Sequence, residues 1–165
     1  MWRAVFGLML AASLVMSFYF FLKMDAVEKD LLLKSGYNTV SLQGAFTESK
    51  AKTIIESWSP EQKTAAGNNL KTDFMFMFLG YGLMMLAIAC LFPSPFLMGV
   101  SVLAVGFDCL ENFFYLNMIL TQKYFLALPA GLFTLAKFFF ISLFILSMVV
   151  VAYQAVLKQV MRRSG

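Results

Sequence analysis

Four long apolar segments dominate this sequence of 165 residues, and most of the charged residues lie between them. The segments cover about residues 4–22, 73–92, 96–119 and 130–153. A helix of about 20 apolar residues spans the hydrocarbon core of a bilayer, where only helices or closed barrels satisfy their backbone hydrogen bonds. The sequence therefore predicts an all-α membrane protein whose four transmembrane helices form a bundle in a single domain.

The composition agrees with a membrane protein and excludes several other classes. Hydrophobic residues make up 61% and charged residues 13% of the chain, too few polar residues to cover a soluble globule. The net charge of +4 does not indicate nucleic-acid binding, because the basic residues do not form one stripe with interleaved aromatics. The chain has no histidine, which argues against bis-histidine haem, most zinc sites and histidine-based triads. We expect no cofactor and no metal.

The two cysteines give no sign of redox chemistry. Cys90 and Cys109 both lie inside apolar segments and do not form a CxxC pair. We therefore expect buried, inert thiols.

The stretch of residues 23–72 between the first two segments is polar but not featureless. Residues 23–73 contain seven basic and seven acidic residues, which indicates a solvated segment and not a lipid-binding polybasic patch. Thr47 can cap a helix with one apolar stripe, which ends in an indole suited to a membrane interface. The stripe consists of Ala51, Ile54, Ile55 and Trp58. Ser59 can cap a further helix, with Pro60 at its first position and Gln62 as capping-box partner. We favour a helical cap resting on the bundle; the alternative is a lid over a cavity between the helices.

The connections predict how the helices follow one another. The turn Pro93-Ser94-Pro95 is too short for anything except a hairpin, so the second and third helices should be antiparallel. The fourth helix should begin near Pro129 or Ala130. Glycines in the second and third segments are expected to allow close helix approach. These are Gly80, Gly82, Gly99 and Gly106.

The charges beside the segments predict the orientation in the membrane. Arg3 and the basic residues near the C-terminus lie on one side, whereas the loop after the third segment offers only Lys123. The C-terminal residues are Lys158, Arg162 and Arg163. By the positive-inside rule both termini should be cytoplasmic and the segment 23–72 extracytoplasmic.

Three polar residues stand inside the third apolar segment. Asp108, Glu111 and Asn112 are spaced i, i+3, i+4, so a helix places them on one face. Ionisable groups at membrane depth usually face a protein interior or a wet cavity. Two interpretations remain open: a structural latch between helices, or a site for a ligand, an ion or a proton.

Depth along the helices predicts partners for these residues. Glu111, Lys137 and Tyr81 each lie about 12 Å below the extracytoplasmic surface at 1.5 Å per residue. A pair between Glu111 and Lys137 would leave neither charge alone, with Tyr81 and Asn112 offering further hydrogen bonds. Asp108 lies one turn deeper and finds no second base. The alternative is that Lys137 snorkels to the headgroups.

One further acid marks the predicted entrance of the second span. Asp73 stands at the beginning of the second apolar segment, where a first-turn carboxylate complements the helix dipole.

Several short motifs resemble a group of small bacterial four-helix integral membrane proteins. They are Leu42-Gln43-x-Ala45-Phe46-Thr47, Ile54-Ile55-x-x-Trp58, Asp73-Phe74-x-Phe76 and Asp108-x-x-Glu111-Asn112-x-x-Tyr115. The resemblance covers roughly residues 37 to 120. It implies a four-helix bundle with an extracytoplasmic cap in the bacterial inner membrane, and it adds Tyr115 to the candidate site. It implies no activity.

Three functional classes follow from these observations. The favoured one is a non-enzymatic accessory subunit or a module that binds lipid or another hydrophobic ligand, in contact with membrane lipids and with a larger complex or a second copy. The second is a proton- or cation-coupled carrier or pore that uses Asp108 and Glu111, which would need an oligomer. The third is a lipid-modifying enzyme, although the sequence offers no catalytic residues with an activated nucleophile.

Overall fold

The computed structural model describes residues 2–164. The side chains at positions 3, 155, 156, 158, 159 and 162–164 are not described. The basic side chains on which the predicted orientation depends, those of Arg3, Lys158, Arg162 and Arg163, therefore lie outside the described residues.

The described residues form helices and short turns, and no β-strand occurs among them. The α-helices are α1 (Trp2–Ser35), α2 (Thr39–Gln43), α3 (Glu48–Ser57), α4 (Pro60–Met75), α5 (Gly82–Leu91), α6 (Pro95–Thr121) and α7 (Ala127–Ser164). A π-helical turn (Phe76–Tyr81) joins α4 to α5, and a 3₁₀ turn (Tyr124–Leu126) precedes α7. Four helical stretches are long and apolar enough to cross a membrane: Ala4–Ser35, Pro60–Leu91, Pro95–Thr121 and Tyr124–Gln154. The predicted all-α bundle with four such helices is confirmed.

The helices extend further than the apolar segments alone suggest. α1 continues past position 22 to Ser35, and ion pairs at i, i+4 such as Lys29 with Asp25 support the polar part. Gly36 then ends the helix with a φ of +78°, a conformation that costs glycine little. α7 begins at Ala127, so Pro129 lies in its first turn, where a proline is tolerated.

The predicted caps are present. The Thr47 side chain accepts a hydrogen bond from the Lys50 backbone N–H at 3.3 Å. Ser59 and Gln62 exchange side-chain and backbone hydrogen bonds in a capping box, and Pro60 follows at the first helical position. These local contacts begin α3 and α4 where the sequence predicts.

The apolar stripe of α3 faces the protein interior. Ala51, Ile54 and Ile55 are buried, as an apolar stripe predicts. Trp58 is buried too, and its indole N–H donates to the Tyr37 carbonyl at 3.0 Å. The prediction that this indole lies at a membrane interface is wrong, because a carbonyl inside the cap satisfies its only donor.

The second span is one long helix interrupted by the π-helical turn. Gly80 has non-helical dihedral angles there (φ −93°, ψ −109°), and a Cβ at this position would lie 2.8 Å from Ser17 Oγ of α1. A Cβ at Gly82 would lie 2.8 Å from Val105 Cγ2 of α6. Gly80 and Gly82 therefore allow close helix approach, as predicted. The same prediction is wrong for the third-span glycines at positions 99 and 106, since nothing lies within 4 Å of a Cβ built on either.

The arrangement of the bundle follows from its contacts. α1 packs against α4, the π-helical turn and α5. α6 packs against α4 and α5 on one side and along α7 on the other. The predicted hairpin between the second and third spans is present, with Ser94 capping α6 and Pro95 at its start. Because α5 and α7 both pack on α6, a groove is left between them.

The short helices α2 and α3 form a cap on one end of the bundle. Ile54 and Ile55 of α3 share a hydrophobic cluster with Met118 of α6 and Ala127 of α7. Phe46, in the connection from α2 to α3, lies directly against Gly131 of α7. The cap is therefore continuous with the core of the bundle.

This contact generates a prediction for Gly131→Ala. A Cβ there would lie 2.5 Å from Phe46 Cδ1 and 2.7 Å from Cε1, so the ring and the cap must shift. Overpacking of this kind costs about 1–3 kcal/mol, and we expect a corresponding fall in the thermal unfolding midpoint in detergent. Gly106→Ala is the matched control, because its methyl group meets open space and gains about 0.5–1 kcal/mol of helix propensity. Equal effects of the two changes would show that Phe46 does not hold the cap.

Candidate functional site

A lysine lies between two carboxylates in the middle of the bundle. Lys137 Nζ of α7 donates to Asp108 Oδ1 of α6 at 2.9 Å. The same nitrogen lies 2.7 Å from Glu111 Oε2, within ion-pair distance but not aligned as a hydrogen bond. Lys137, Asp108 and Glu111 are only 6%, 2% and 0% exposed. This buried ion triad joins the third span to the fourth.

The ion triad decides between two expectations for Lys137. Its pairing with Glu111 is confirmed, and the snorkelling alternative does not fit a side chain held between two acids. The expectation that Asp108 finds no base is wrong. Asp108 and Glu111 stand one turn apart on the same face of α6, so a flexible lysine opposite the turn reaches both.

The π-helical turn brings a phenol to the same place. The Tyr81 hydroxyl donates to Asp108 Oδ2 at 2.5 Å, so Asp108 is bonded through both oxygens. π-helical turns inside α-helices occur frequently at functional sites. Here the turn ends at Tyr81, and the second span is thereby connected to the ion triad.

Asp73 has a different environment from the one predicted. It lies near the end of α4, not in its first turn, because the capping box at Ser59 starts the helix well before the apolar segment. It therefore does not complement a helix N-terminus. Its Oδ2 accepts a hydrogen bond from Asn112 Nδ2 at 2.8 Å. The Asn112 amide therefore donates to Asp73 and not to the pair of Glu111 and Lys137.

Tyr115 is completely buried and belongs to the attachment of the cap. Its hydroxyl donates to the Gln43 carbonyl of α2 at 3.0 Å and lies 3.3 Å from Thr134 Oγ1 of α7. It lines neither of the cavities described below. Of the sequence candidates, Asp108, Glu111, Lys137 and Tyr81 come together in one cluster, Asp73 and Asn112 form a neighbouring pair, and Tyr115 stands apart.

A second polar cluster was missed by the sequence analysis. Glu28 of α1 accepts hydrogen bonds from the backbone N–H of Thr39 at 2.9 Å, from the Thr39 hydroxyl and from the Asn69 amide. The available signal was helical spacing: Asn69 and Asp73 stand at i, i+4 on α4, facing the helix that carries Glu28. The near balance of acidic and basic residues in this stretch gave no indication that Glu28 forms a cluster with neutral donors.

Two cavities meet at this polar region. The cap chamber, about 320 Å³, lies beneath the cap and is lined by Phe21, Met24, Asp25, Glu28, Asn38, Thr39, Val40, Gln43, Asn69, Leu70 and Asp73. The membrane groove, about 800 Å³, lies between α5 and α7. At its polar end are Gln43, Asp73, Tyr81, Asp108 and Lys137; its apolar part is formed by Phe76, Met84, Met85, Ile88, Phe138, Ile141, Phe144, Ile145, Met148, Val149 and Ala152. Gln43 and Asp73 line both cavities, so the polar chamber and the apolar groove adjoin at these two side chains.

Acceptors outnumber donors around this junction. Glu111 Oε1 and Asn112 Oδ1 are buried and accept no hydrogen bond. Asp73 forms no ion pair with any lysine or arginine side chain that the structure describes. Three carboxylates, those of Asp73, Asp108 and Glu111, therefore lie near one ammonium group, that of Lys137, which pairs with only the last two.

The described side chains include no candidate metal centre and no disulfide. No group of three or more histidine, cysteine, aspartate or glutamate residues is placed to hold a metal ion in the described part of the chain. Cys90 and Cys109 are free thiols, and Cys109 Sγ lies 3.7 Å from Met77 Sδ.

The fold and site define a class: an all-helical, multi-pass membrane protein with an ion triad between two of its spans. Comparisons with protein-family models, with curated proteins and with solved structures find no match for the chain.

A double-mutant cycle tests the ion triad. Lys137→Ala leaves two carboxylates facing each other without a cation, so it should destabilise the protein more in the wild-type background than in the Asp108→Asn/Glu111→Gln background. We expect a coupling of about 0.5–2 kcal/mol from unfolding in detergent. Lys123→Ala, in the exposed connection before α7, is the control and should show no coupling with the same amides. Additive losses would show that the three side chains do not act together.

Proposed function

We propose that this protein is a non-enzymatic membrane module that binds a lipid-like amphiphile in the membrane groove. The observation that carries the proposal is the junction of a long apolar groove with a buried polar cluster. An apolar groove alone would simply contact bulk lipid. A groove that begins at Tyr81, Asp108 and Lys137 offers directed polar groups to one end of an occupant and apolar contact to the rest.

The dimensions of the groove support an acyl-chain ligand. Lys137 and Ala152, at its two ends on α7, are about 22 Å apart along the axis at 1.5 Å per residue. One leaflet of a typical hydrocarbon core is about 15 Å thick. A ligand with its polar group near Lys137 therefore has room for a complete chain below it.

The wall of the groove suits a variable apolar ligand. Met84, Met85 and Met148 line it together with phenylalanine and isoleucine side chains. Methionine is flexible and polarizable, so it adapts to chains of different shape.

The proposal includes a location and partners. We place the protein in a bacterial inner membrane, as the sequence resemblance implies, with both termini in the cytoplasm and the cap outside, as the charge distribution of the sequence predicts. In this placement the cap chamber opens toward the extracytoplasmic side and the groove opens toward lipid. The many exposed apolar side chains of α1 and α7 offer contact surfaces for membrane lipids and for a partner in a larger membrane complex or a second copy of the chain.

Blocking the groove tests the proposal. Ile145→Trp adds a bulky side chain to the groove wall and should reduce the co-purified amphiphile, measured by native mass spectrometry, by about tenfold or more. Leu146→Trp is the matched control: it is the next residue of α7, is about as exposed (61% against 59%) and does not line the groove. Equal lipid occupancy in the two variants would contradict the proposal.

A proton- or cation-coupled carrier is the second candidate. The observation that favours it is the excess of Asp73, Asp108 and Glu111 over Lys137 at membrane depth, since such acids mark ion and proton paths in membrane proteins. Four spans are few for a transporter, so this function would require an oligomer.

Proton flux separates the two candidates. Wild type and the Asp108→Asn/Glu111→Gln variant are reconstituted in liposomes that contain a pH-sensitive dye, and a pH gradient is imposed. The amphiphile-binding proposal predicts equal flux for both, at the level of empty liposomes. Flux through the wild type that disappears in the double amide variant would favour the carrier.

A further inference from the structure

The chemistry of the head group can be inferred from the groups around the junction of the two cavities. This inference deepens the proposed function and rests on it. A ligand there meets only the hydrogen-bonding and charged groups that remain available once the contacts within the protein are made.

Apart from the neutral side-chain amide of Gln43, the donors at the junction are engaged. Lys137 is held between Asp108 and Glu111, and the Tyr81 hydroxyl donates to Asp108. The amide of Asn112 donates to Asp73. An anionic head group would thus have to compete with carboxylates for the single ammonium group and would meet their repulsion.

The acceptors, in contrast, are in excess. The Asp73 carboxylate lines both cavities and accepts a hydrogen bond from the neutral side-chain amide of Asn112. It has no cationic partner among the described side chains. Behind it, Asn112 Oδ1 is fully buried without a donor, and so is Glu111 Oε1 behind Lys137. A latch between helices requires no such surplus, because buried acceptors without donors cost free energy.

The cap chamber continues the same polarity. Asp25, Glu28 and Asp73 line it, and no lysine or arginine does so within the described part of the chain. Lys29 approaches Asp25 from the exposed face of α1, and neutral donors satisfy Glu28. Asp73, at the junction itself, is the lining acid that neither a lysine nor a set of several donors compensates.

We infer that the amphiphile carries a protonated amine, which is seated at Asp73 where the cap chamber meets the membrane groove, while its chain lies along α7. An ammonium group supplies three donors and a positive charge, which is what an acceptor-rich, net-acidic junction lacks. Because Gln43 and Asp73 line both cavities, a head group at this position faces the cap chamber while the chain lies in the membrane groove.

Three probes of equal chain length test the inference: a long-chain primary amine, the carboxylic acid and the alcohol. Their binding to the full-length protein in detergent at neutral pH is compared by native mass spectrometry. We expect the amine to bind at least about tenfold more tightly than the acid or the alcohol, the factor that one charge-assisted hydrogen bond supplies. Equal or tighter binding of the acid would overturn the inference.

Two variants locate the seat. Asp73→Asn keeps the size of the side chain and an acceptor for the Asn112 amide, and it should abolish the preference for the amine while leaving alcohol binding unchanged. Asp30→Asn removes an exposed carboxylate of α1 that pairs with Lys34 and lines neither cavity, so it should retain the preference. Retention of the preference in Asp73→Asn would also overturn the inference.

The outcomes distinguish this inference from the proposed function. If Ile145→Trp weakens all three probes but none is preferred, the groove binds amphiphiles and the amine inference is wrong. If all three probes bind the Ile145→Trp variant as well as they bind the control Leu146→Trp, the proposed function is wrong as well as the amine inference. Competition with soluble spermidine tests whether the amine needs an apolar chain. If spermidine displaces the long-chain amine completely and Ile145→Trp has no effect on amine binding, the ligand is a polyamine without a chain. That result would overturn the amphiphile assignment.

Discussion

The position of Lys137 between Asp108 and Glu111 is the constraint on which the rest of the bundle depends. None of these charges is tolerable alone at membrane depth, so α6 and α7 must present them to each other. This sets the rotation of both helices about their axes. The Tyr81 hydroxyl extends the same requirement to the second span, and the three spans then enclose the groove between α5 and α7.

The cap adds a polar half to this arrangement. Tyr115 bonds to the backbone of α2, and Phe46 fills the space that Gly131 leaves on α7, so the short helices are fixed on the bundle. The cap chamber lies between α2, α1 and α4. The polar chamber suits the head group of an amphiphile, and the adjoining apolar groove suits its chain. The proposed ligand class follows from this match.

Latch and site are not exclusive interpretations here, because different atoms of the cluster support each. The contacts of Lys137 with two carboxylates hold helices together and need no ligand. Asp73 adds one hydrogen bond between α4 and α6 but has no cationic partner among the described side chains, and Glu111 Oε1 and Asn112 Oδ1 have no donor, so these acceptors exceed what the attachment needs. Groups that stability does not require are the ones that indicate binding.

The sequence by itself determined the spans, the caps at Thr47 and Ser59, and the common face of Asp108 and Glu111, because these depend on hydropathy, local hydrogen bonds and helical spacing. Counting depth along the helices placed Glu111 and Lys137 at one level but left snorkelling of Lys137 open, and the ion pair in the structure decided between the two. Only the tertiary structure decided contacts between distant segments. These include the sharing of Lys137 with Asp108, the burial of Trp58, the Glu28 cluster and the partner of Asp73. Periodicity states which face of a helix is polar, but which neighbour meets that face depends on how all the helices pack at once.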